Sequence, residues 1–302
     1  MVTSLISKIQ RYSTKDGPGI RSTVFFVGCN LKCLWCSNPE LIAPGKKLMH
    51  YHERCQLCYK CTTEITDGSV SIINNQLIAN RSLSLNLVAL EQVCPYNAFE
   101  VIGKEVSAAE LCSELLKDKD YFLFSGGGVT FSGGEALLHS EFLAKCCAIL
   151  KSEGIHLCLD TAGLISEKNL LKIAELVDLI LVDIKAFSSE LHQKCTEVTN
   201  ELILRNIKSL ATHQHKMIIR LLIAPNYNDD FADVVERLKF IQELGAVVCE
   251  VNILPYHNYG KGKYQRLGLS YSLKEAPIDW LYLEKIEAFG KRLGLNINIH
   301  KN

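Results

Sequence analysis

Residues 23–36 read Thr-Val-Phe-Phe-Val-Gly-Cys-Asn-Leu-Lys-Cys-Leu-Trp-Cys and join an apolar run to three closely spaced cysteines. The run Thr23–Val27 is rich in β-branched and aromatic residues, which predicts a buried β-strand. In the loop that follows it, Cys29, Cys33 and Cys36 have the pattern Cys-x3-Cys-x2-Cys. Three thiolates on a four-iron cluster leave one iron free to bind another molecule, because an ordinary cluster takes four. The stretch therefore predicts an open metal site just past the end of a strand.

These three cysteines alone leave a zinc site open as an alternative. Structural zinc takes four ligands, and Cys55 or His50 would supply the fourth. The chain has thirteen cysteines and no long apolar segment near its N-terminus, so we expect a reducing cytoplasm in which thiols stay free. Metal binding therefore explains the clustered cysteines better than disulfides do.

The composition describes a large globular protein. The chain has 302 residues, of which 48% are apolar, and this is enough to bury a sizeable core. Thirty-three basic residues balance thirty-three acidic ones, so no overall field recruits nucleic acid or an anionic membrane. No stretch approaches the apolar length that spans a bilayer. We expect a cytoplasmic protein with neither nucleic acid nor membrane as a partner.

Beyond residue 105, short apolar runs alternate with helical stretches. Five more strands are predicted after the first, at Gly128–Phe131, His156–Leu159, Leu179–Ile184, Met217–Ile223 and Val247–Leu254. A helix candidate follows each of these five, and this order predicts a parallel sheet with helices packed outside it. Residues 44–104 break the pattern and are predicted as an inserted domain, which leaves 1–43 and 105–302 for the main domain.

Two helix starts are predicted from capping residues. Ser107 and Glu110 have the spacing of a capping box, and Asp229 or Asp230 is placed to cap the helix that ends near Gly245.

The insert carries a second cysteine set. Cys55, Cys58 and Cys61 are evenly spaced, and Cys94 precedes a proline far downstream. In bacterial ferredoxins a distant Cys-Pro completes the cluster that three such cysteines begin. Four thiolates predict a closed site for one auxiliary [4Fe-4S] cluster, with a four-cysteine zinc site as the alternative.

A two-cluster ferredoxin would need a second quartet of cysteines. The chain has other residues at these positions, namely Ile65, Ser84, Leu87 and Leu90. All four absences belong to the same cluster, so we expect that the insert has lost it and that the apolar residues partly fill the space.

Polar and glycine residues recur where the predicted strands end. Gly133–Glu135 follow the second strand, Asp160 ends the third, and Asp183–Lys185 end the fourth. Glycines allow the backbone to approach a ligand closely. Because parallel strands present their carboxyl ends to one mouth, we expect these residues to lie beside the first cysteine set.

Together with these features, four segments resemble the radical S-adenosylmethionine (SAM) superfamily, and within it the activating enzymes of glycyl-radical enzymes. They are Asp16-Gly17-Pro18-Gly19-Ile20-Arg21, Cys29–Cys36, Asn38-Pro39-Glu40 and Pro255–Tyr264, which reads Pro-Tyr-His-x-x-Gly-x-x-Lys-Tyr. The resemblance covers Lys8 to about Gly268. It implies an α/β fold: a partial (β/α)6 TIM-type barrel of the radical SAM kind with a small inserted ferredoxin-like cluster domain.

The resemblance also implies SAM and two [4Fe-4S] clusters. Cys29, Cys33 and Cys36 would hold the cluster that binds SAM, and the second cysteine set would hold the auxiliary cluster. The residues implied to contact SAM are Trp35, Cys36, Ser37, Gly133, Gly134, Glu135, Asp160, Asp183, Ile184, Lys185, His257 and, on weaker grounds, Arg220. A monovalent cation is implied near Asp160 and Asp183.

The implied reaction is reductive cleavage of SAM to a 5'-deoxyadenosyl radical, which takes a hydrogen atom from a backbone glycine of a partner glycyl-radical enzyme. Flavodoxin or ferredoxin would donate the electron, and the enzyme would work anaerobically. The residues implied to meet the partner's glycine loop are Asp16, Gly17, Pro18, Gly19 and Arg21.

Two alternative functions differ in what they leave unexplained. Another radical SAM enzyme that modifies proteins does not account for the segment from Asp16 to Arg21. A non-catalytic iron–sulfur or zinc protein does not account for Gly133–Glu135 or Asp183–Lys185.

The chain departs from the family pattern at a few positions. Ala136 and His139 stand where relatives often have proline and glutamine, and Arg220 does not precede the usual proline-rich run. Histidines predicted to be simply solvated are His139, His156, His192, His213, His215 and His300. Cysteines predicted to be small buried residues are Cys112, Cys146, Cys147, Cys158, Cys195 and Cys249.

Overall fold

The computed structural model describes residues 2–74, 76–79, 86–274 and 276–300. Its β-strands are Thr3–Ser13 (β1), Arg21–Phe26 (β2), Lys47–His50 (β3), Val70–Ile73 (β4), Gln76–Ala79 (β5), Phe99–Ile102 (β6), Lys104–Ser107 (β7), Gly128–Gly133 (β8), His156–Thr161 (β9), Leu179–Asp183 (β10), Met217–Ile223 (β11), Val248–Pro255 (β12) and Ile297–Ile299 (β13). Its α-helices are Lys60–Glu64 (α1), Leu87–Val93 (α2), Ala108–Leu115 (α3), Lys119–Ser125 (α4), Ser140–Ser152 (α5), Glu167–Ala174 (α6), Ser189–Thr196 (α7), Glu201–Thr212 (α8), Phe231–Leu244 (α9), Lys261–Arg266 (α10) and Trp280–Arg292 (α11).

One sheet of nine strands dominates the fold, in the order β13-β12-β11-β10-β9-β8-β2-β1-β7. Strand β2 and strands β8 to β13 are parallel to one another, whereas β1 runs antiparallel to both β2 and β7. The six predicted strands are β2 and β8 to β12, which confirms the predicted parallel sheet. The arrangement is that of a partial TIM-type barrel.

Alternating strand residues divide the sheet into an outer and an inner face. Leu157 and Leu159 of β9 belong to the main core, which packs the sheet against its helices. Cys158, between them, belongs to a separate small cluster with Leu181 of β10 and Ile218 of β11. The inner faces of neighbouring strands therefore meet inside the barrel, and the next inward position after Cys158 is Asp160.

Both capping predictions hold in the structure. Ser107 and Glu110 form the complete capping box at the start of α3. Asp230, the second of the two candidates, caps α9 by accepting a hydrogen bond from the Ala232 N–H.

Within its described residues, the predicted insert contains two small antiparallel sheets and two short helices. Strand β3 pairs with β6, and β4 pairs with β5. Strand β6 ends at Ile102, and β7, which begins at Lys104, already pairs with β1 of the main sheet. The ferredoxin-like character of this unit stays a prediction.

Apolar residues occupy the positions where a second cluster would need cysteines. Leu90 is fully buried in the core of the insert, and Ile65 and Leu87 pack against it. Ser84 lies outside the described residues. At the three described positions, apolar side chains therefore fill the space of the missing cluster, as predicted.

Several predictions for isolated residues need correction. His192 is 1% exposed, and its Nδ1 lies 2.7 Å from the Val198 carbonyl oxygen. His139 stacks on Phe26 and its two ring nitrogens contact Ser4 Oγ and the Val27 carbonyl oxygen, each at 2.9 Å. Neither is a solvated surface histidine, because both hold chain segments together. The predicted buried cysteines are buried except Cys249, which is exposed.

Among the described residues, no helix combines the length and the apolar character that crossing a membrane requires.

Candidate active site

The first cysteine set lies in a loop that is fixed at both ends. Gly28 N–H donates to the Leu41 carbonyl at 2.8 Å, and Cys29 N–H donates to the Ile42 carbonyl at 2.8 Å. The middle of the loop is held by α7, since Leu34 N–H donates to the Cys195 carbonyl at 2.9 Å. Backbone contacts with neighbouring segments therefore position the loop.

One cavity receives all three cysteines of this loop. The space inside it, counted out to the open mouth, is about 900 Å³. It is lined by Cys29, Leu31, Cys33, Trp35, Cys36, Ser37, Asn38, Leu41, Ile42, Ser132, Gly133, Gly134, Asp160, Thr161, Ala162, Asp183, Lys185, Arg220, Leu222 and Leu254. The cysteine loop and the strand-end residues thus meet in one cavity, as the parallel sheet predicts.

The thiols of the loop are buried and would be neutral without a metal. Burial raises the pKa of Cys29 to about 11 and that of Cys36 to about 12, and it also raises the pKa of Cys33. The Leu31 N–H donates to Cys29 Sγ at 3.4 Å. Metal binding releases the thiol protons, so a metal centre would supply the positive charge that these thiolates need.

The donor set fits an iron–sulfur cluster better than a single ion. The cavity lining holds these three cysteines and neither Cys55 nor His50, the candidates for a fourth zinc ligand. Within the part of the chain that the structure describes, no three His, Cys, Asp or Glu side chains are arranged to hold one metal ion. Three thiolates around a wider cavity suit a group with an open iron.

The floor of the cavity carries two acidic and two basic side chains. Arg220 bonds to Asp160 and, through Nε at 3.2 Å, to Asp183. Lys185 Nζ lies 3.2 Å from the other oxygen of Asp183. Strands β10 and β11 bring them together, since Asp183 and Arg220 are direct neighbours in the sheet. The structure thus brings Arg220, the weakest of the predicted residues, to the centre of the site.

Burial and pairing set the charge of this group. Burial raises the pKa of Asp160 to about 6 despite its contact with Arg220. Burial would raise the pKa of Asp183 as well, but Arg220 and Lys185 together hold it below its usual value. The site is therefore two carboxylates and two cations at neutral pH.

Basic side chains already pair with both carboxylates of this group. Arg220 already lies between Asp160 and Asp183, and Lys185 adds a second positive charge. The Ser132 hydroxyl donates to the remaining oxygen of Asp160 at 2.6 Å. The monovalent cation predicted near Asp160 and Asp183 stays a prediction.

Gly133 and Gly134 have a structural task that the sequence did not show. A Cβ on Gly134 would lie 2.1 Å from the Gly28 carbonyl oxygen, and one on Gly133 would lie 2.2 Å from the Phe26 nitrogen. The Gly134 N–H donates to the Phe26 carbonyl at 2.9 Å. The missing side chains thus let the end of β8 close against the end of β2.

Glu135 is buried beside the cavity and bonds to its own chain. It is fully buried, and burial raises its pKa to about 7. Its carboxylate accepts from the Thr161 hydroxyl at 2.8 Å and from the Ala162 N–H at 2.9 Å. Glu135 therefore ties the end of β8 to the end of β9 in this structure.

Two other predicted residues lie outside the cavity lining. Ile184 is buried next to Asp183. His257 lies against a different cavity and stacks on Tyr259 at 4.3 Å between ring centroids. Its Nδ1 is buried and finds no hydrogen-bond partner among the described residues. The structure does not bring His257 to the cysteine cavity.

Some lining residues were missed from the sequence. Ser132 and Thr161 sit directly beside predicted residues. Alternation along β8 was the available signal for Ser132, whereas alternation along β9 gave none for Thr161, which follows the inward Asp160. Asn38 lines the cavity from the far side of the cysteine loop.

The segment from Asp16 to Arg21 lies at the opposite end of the strands. Arg21 starts β2 and is fully buried, where it donates to Thr130 Oγ1 at 2.7 Å and to the Pro18 carbonyl at 3.0 Å. The Asp16 carboxylate accepts from Ser13 Oγ at 2.6 Å. Both side chains hold the turn in place, so they face their own chain and not the surface.

The same turn borders a second, larger cavity of about 1470 Å³, counted in the same way. Gly17 and Pro18 line it together with inward residues of the strands, Leu181, Ile218 and Asn252. Asp183, Arg220 and Leu254, which line the first cavity, are the next inward positions on those strands. The two cavities therefore occupy opposite ends of one barrel interior.

The second cysteine set also converges on one place. Cys55, Cys58, Cys61 and Cys94 line a small cavity in the insert. The Ala98 N–H donates to Cys94 Sγ at 3.3 Å. Burial raises the pKa of Cys61, and the nearby thiols raise it further. Four cysteines and a backbone donor to sulfur are a closed set that fits a cluster.

Comparisons with known proteins bear on this geometry. Residues 92–238 match the Radical SAM superfamily. The (2S)-3-sulfopropanediol dehydratase activating enzyme of Klebsiella oxytoca is 36% identical over 91% of this chain and 89% of its own. The chain belongs to the radical SAM activating enzymes of glycyl-radical enzymes. Another relative, the trans-4-hydroxy-L-proline dehydratase activating enzyme of Clostridioides difficile, is 35% identical over 90% of each chain.

Solved structures agree with this family. A domain of the pyruvate-formate lyase-activating enzyme from Bacteroides vulgatus matches with a TM-score of 0.50 and 29% identity, over 58% of this chain and 99% of that chain. A radical SAM methyltransferase from Sphaerobacter thermophilus, at 13% identity, matches with a TM-score of 0.55 over 98% of this chain and 76% of that one. The second likeness shows the fold alone.

Family membership confirms the predicted class of activity. This activating enzyme generates a glycyl radical on a partner enzyme, and its family implies a [4Fe-4S] cluster and SAM. The two alternative functions, another protein-modifying radical SAM enzyme and a non-catalytic metal protein, are set aside.

Proposed function

We propose that this chain binds SAM in the cysteine cavity and cleaves it there to activate its partner. The observation that carries the proposal is that Cys29, Cys33 and Cys36 share one cavity with Asp160, Asp183, Lys185 and Arg220. A cluster on the three cysteines would supply the electron that splits SAM into methionine and a 5'-deoxyadenosyl radical. All other tasks fall to the side chains and the backbone of the cavity.

The charged floor suits the polar parts of SAM. Asp160 and Asp183 can accept hydrogen bonds from amino or hydroxyl groups, and Lys185 can donate to a carboxylate. Trp35 and Leu222 supply apolar surface in the same cavity. The charged side chains of the floor already pair with one another. Much of the free-energy cost of removing them from water is therefore met on folding, before SAM binds.

Gly134 would offer its carbonyl oxygen, not its nitrogen, to SAM. The N–H groups of Gly134 and Glu135 already donate to the carbonyls of Phe26 and Gly28. What remains for a ligand is carbonyl oxygen, which suits an amino group. Ser37 lies across the cavity, and we assign it, with the backbone of Cys36, to the same ligand.

We further propose that Cys55, Cys58, Cys61 and Cys94 hold one auxiliary [4Fe-4S] cluster. The convergence of the four thiols and the Cys-Pro spacing shared with bacterial ferredoxins support this assignment. A reduced flavodoxin or ferredoxin would be the electron donor. A monovalent cation near Asp160 and Asp183 also belongs to the proposal.

For the partner, we propose that its glycine loop enters the barrel interior through the second cavity, beside Gly17 and Pro18, and extends toward the first cavity, because the hydrogen atom must be taken close to the bound SAM. These two residues face that cavity, whereas Asp16 and Arg21 hold the turn and Gly19 packs against Gly127. A large side chain at Pro18 would fill the entrance. Pro18→Trp should keep 5'-deoxyadenosine formation without partner but lose the glycyl radical on the partner, measured by electron paramagnetic resonance. Lys145→Trp, at an exposed position of α5, is the control.

The deciding experiment for the proposed function is anaerobic reconstitution followed by reduction with dithionite in the presence of SAM. Wild type should hold about eight irons, as two four-iron clusters require, and should form 5'-deoxyadenosine. Cys33→Ala should lose about half of the iron and all of the cleavage. Cys249→Ala, an exposed cysteine outside both sets, should match wild type.

Cys58→Ala should lose the other half of the iron. Bound zinc without SAM cleavage in wild type would overturn the proposal. Iron near four per chain in wild type, with cleavage intact, would overturn only the auxiliary cluster.

A further inference from the structure

Helix α10 connects segments that are far apart in the chain. Lys263 Nζ donates to Asn38 Oδ1 at 2.6 Å and to Glu40 Oε1 at 2.7 Å. Lys263 and Asn38 are 225 positions apart. Both acceptors come directly after the cysteine loop, and neither they nor Lys263 has a part in the reaction described so far.

Glu40 makes this contact a buried ion pair. The Glu40 side chain is 5% exposed and that of Lys263 is 26% exposed. A buried carboxylate needs a charged partner and hydrogen bonds to offset its loss of water. The other oxygen, Oε2, has no hydrogen-bond partner among the described residues. Lys263 is thus the cation that pairs directly with Glu40.

The residue that precedes the same helix packs closely against the cysteine loop. A Cβ on Gly260 would lie 2.8 Å from the Cys36 carbonyl oxygen and 2.9 Å from the Ser37 Cα. Cys36 and Ser37 both line the cavity. The backbone at the start of α10 therefore rests on the part of the loop that faces the proposed SAM site.

The end of the helix contacts the insert. The Arg266 guanidinium lies 4.4 Å from the ring centroid of Tyr51 and pairs with Glu53 at 2.8 Å. Glu53 precedes Cys55 of the second cysteine set by two residues. Helix α10 thus spans from the loop of one cysteine set to the loop of the other.

We propose that Lys263 is a positioning residue for SAM binding, which fixes the Cys36–Glu40 segment against α10, and that Arg266 anchors this helix to the insert. The inference rests on the proposed function, because it assigns SAM to the cavity that Cys36 and Ser37 line. Lys263 touches neither reacting group; it acts through Asn38 and Glu40. This gives Asn38-Pro39-Glu40 and the lysine of the Pro255–Tyr264 segment one shared task.

The first test uses the apoprotein, so that no cluster is needed. Lys263→Met should speed hydrogen–deuterium exchange across residues 27–43 at least severalfold, because the hydrogen bonds that close the loop lose their support. Lys263→Arg, which can still reach both acceptors, should restore most of the protection. Gln265→Met, at an exposed position of the same helix, should exchange like wild type.

The second test measures SAM affinity on the reconstituted proteins. We expect Lys263→Met to raise the Kd for SAM about tenfold, as loss of a charge-assisted hydrogen bond would do, at unchanged iron content. The change that SAM causes in the electron paramagnetic resonance spectrum of the reduced cluster should then need more SAM. Unchanged exchange, or faster exchange with an unchanged Kd, would overturn the inference.

A folding failure of Lys263→Met would not leave the inference undecided. The double variant Lys263→Met, Glu40→Gln has no uncompensated buried charge. Both measurements can be repeated on this variant, in which both side chains are neutral. A wild-type protein that never cleaves SAM would count against the proposed function alone, since exchange and SAM affinity still decide the role of Lys263.

Discussion

Gly134 lies so close to Gly28 that a Cβ on it would sit 2.1 Å from the Gly28 carbonyl oxygen. No rotation of a side chain relieves this contact, because both partners are backbone. The contact joins the end of β8 to the start of the cysteine loop, so any side chain at residue 134 must push that loop away.

Gly134→Ala should therefore destabilise the protein by a few kcal/mol, as overpacking in a tight interior does, and should reduce iron bound by the first cysteine set. Thermal unfolding of the apoprotein and an iron count after reconstitution measure the two effects. Gly262→Ala is the matched control, since no neighbouring atom would lie within 4 Å of its Cβ and alanine favours a helix. Equal melting temperatures for the two variants would contradict the argument.

Glu135 gives the apoprotein an unusual pH dependence. Burial raises the pKa of its carboxyl from 4.5 to about 7, so between these pH values the folded protein binds a proton that the unfolded chain has released. The free energy of unfolding should therefore fall as pH rises from about 4.5 to 7, by roughly 1 to 3 kcal/mol from this group. Urea unfolding across this range measures it.

The matched variant is Glu135→Gln, which cannot titrate. Its unfolding free energy should change less between pH 4.5 and 7 than that of wild type, even if it is lower throughout. Parallel curves for the two proteins would mean that another group, such as Asp160 with its pKa near 6, causes the whole dependence.

The sequence predicted the central strands well because buried parallel strands are continuous apolar runs. It missed β1, because exposed residues interrupt this strand and it has no continuous apolar run, and β13, which has only three residues. The order of the predicted strands was enough to place Asp160 and Asp183 at the same end of the barrel. The pairing of Lys263 with Glu40 could not be predicted, because nothing local to either residue encodes a contact between distant segments.

Packing in the insert gives a test of the lost cluster. Leu90 is fully buried among Leu48, Phe99 and Cys61, at a position where a two-cluster insert would have cysteine. Leu90→Ala should cost about 2 to 5 kcal/mol of stability in the insert, as large-to-small changes in cores do. It should also weaken iron retention by the second cysteine set.

Val88→Ala on the same helix is the control, because Val88 is 46% exposed. Iron release under chelator, followed at 25 °C, compares the variants. Equal release from both would show that the core around Leu90 does not support the cysteines. If Leu90→Ala lost SAM cleavage but kept the iron of the second cysteine set, its effect on cleavage would not come from loss of that cluster.

Arg220 is the residue on which the charged floor depends. It bonds to Asp160 and Asp183 at once, so Arg220→Met leaves two buried carboxylates with Lys185 as their only close cation within the described cavity lining. The pKa of Asp183, which Arg220 and Lys185 hold low against the effect of burial, should rise. We expect SAM affinity to fall at least tenfold, and more steeply below neutral pH, where protonated carboxyls no longer accept hydrogen bonds.

Isothermal titration of SAM at pH 6 and pH 8 under anaerobic conditions measures both effects. Arg220→Lys should keep part of the affinity, since it keeps the charge but loses the bridge between the two carboxylates. Arg205→Met, at an exposed position of α8, is the control and should bind like wild type. If Arg220→Met bound SAM normally at both pH values, the floor would serve only to hold β9, β10 and β11 together, and the ligand would lie nearer the cysteine loop.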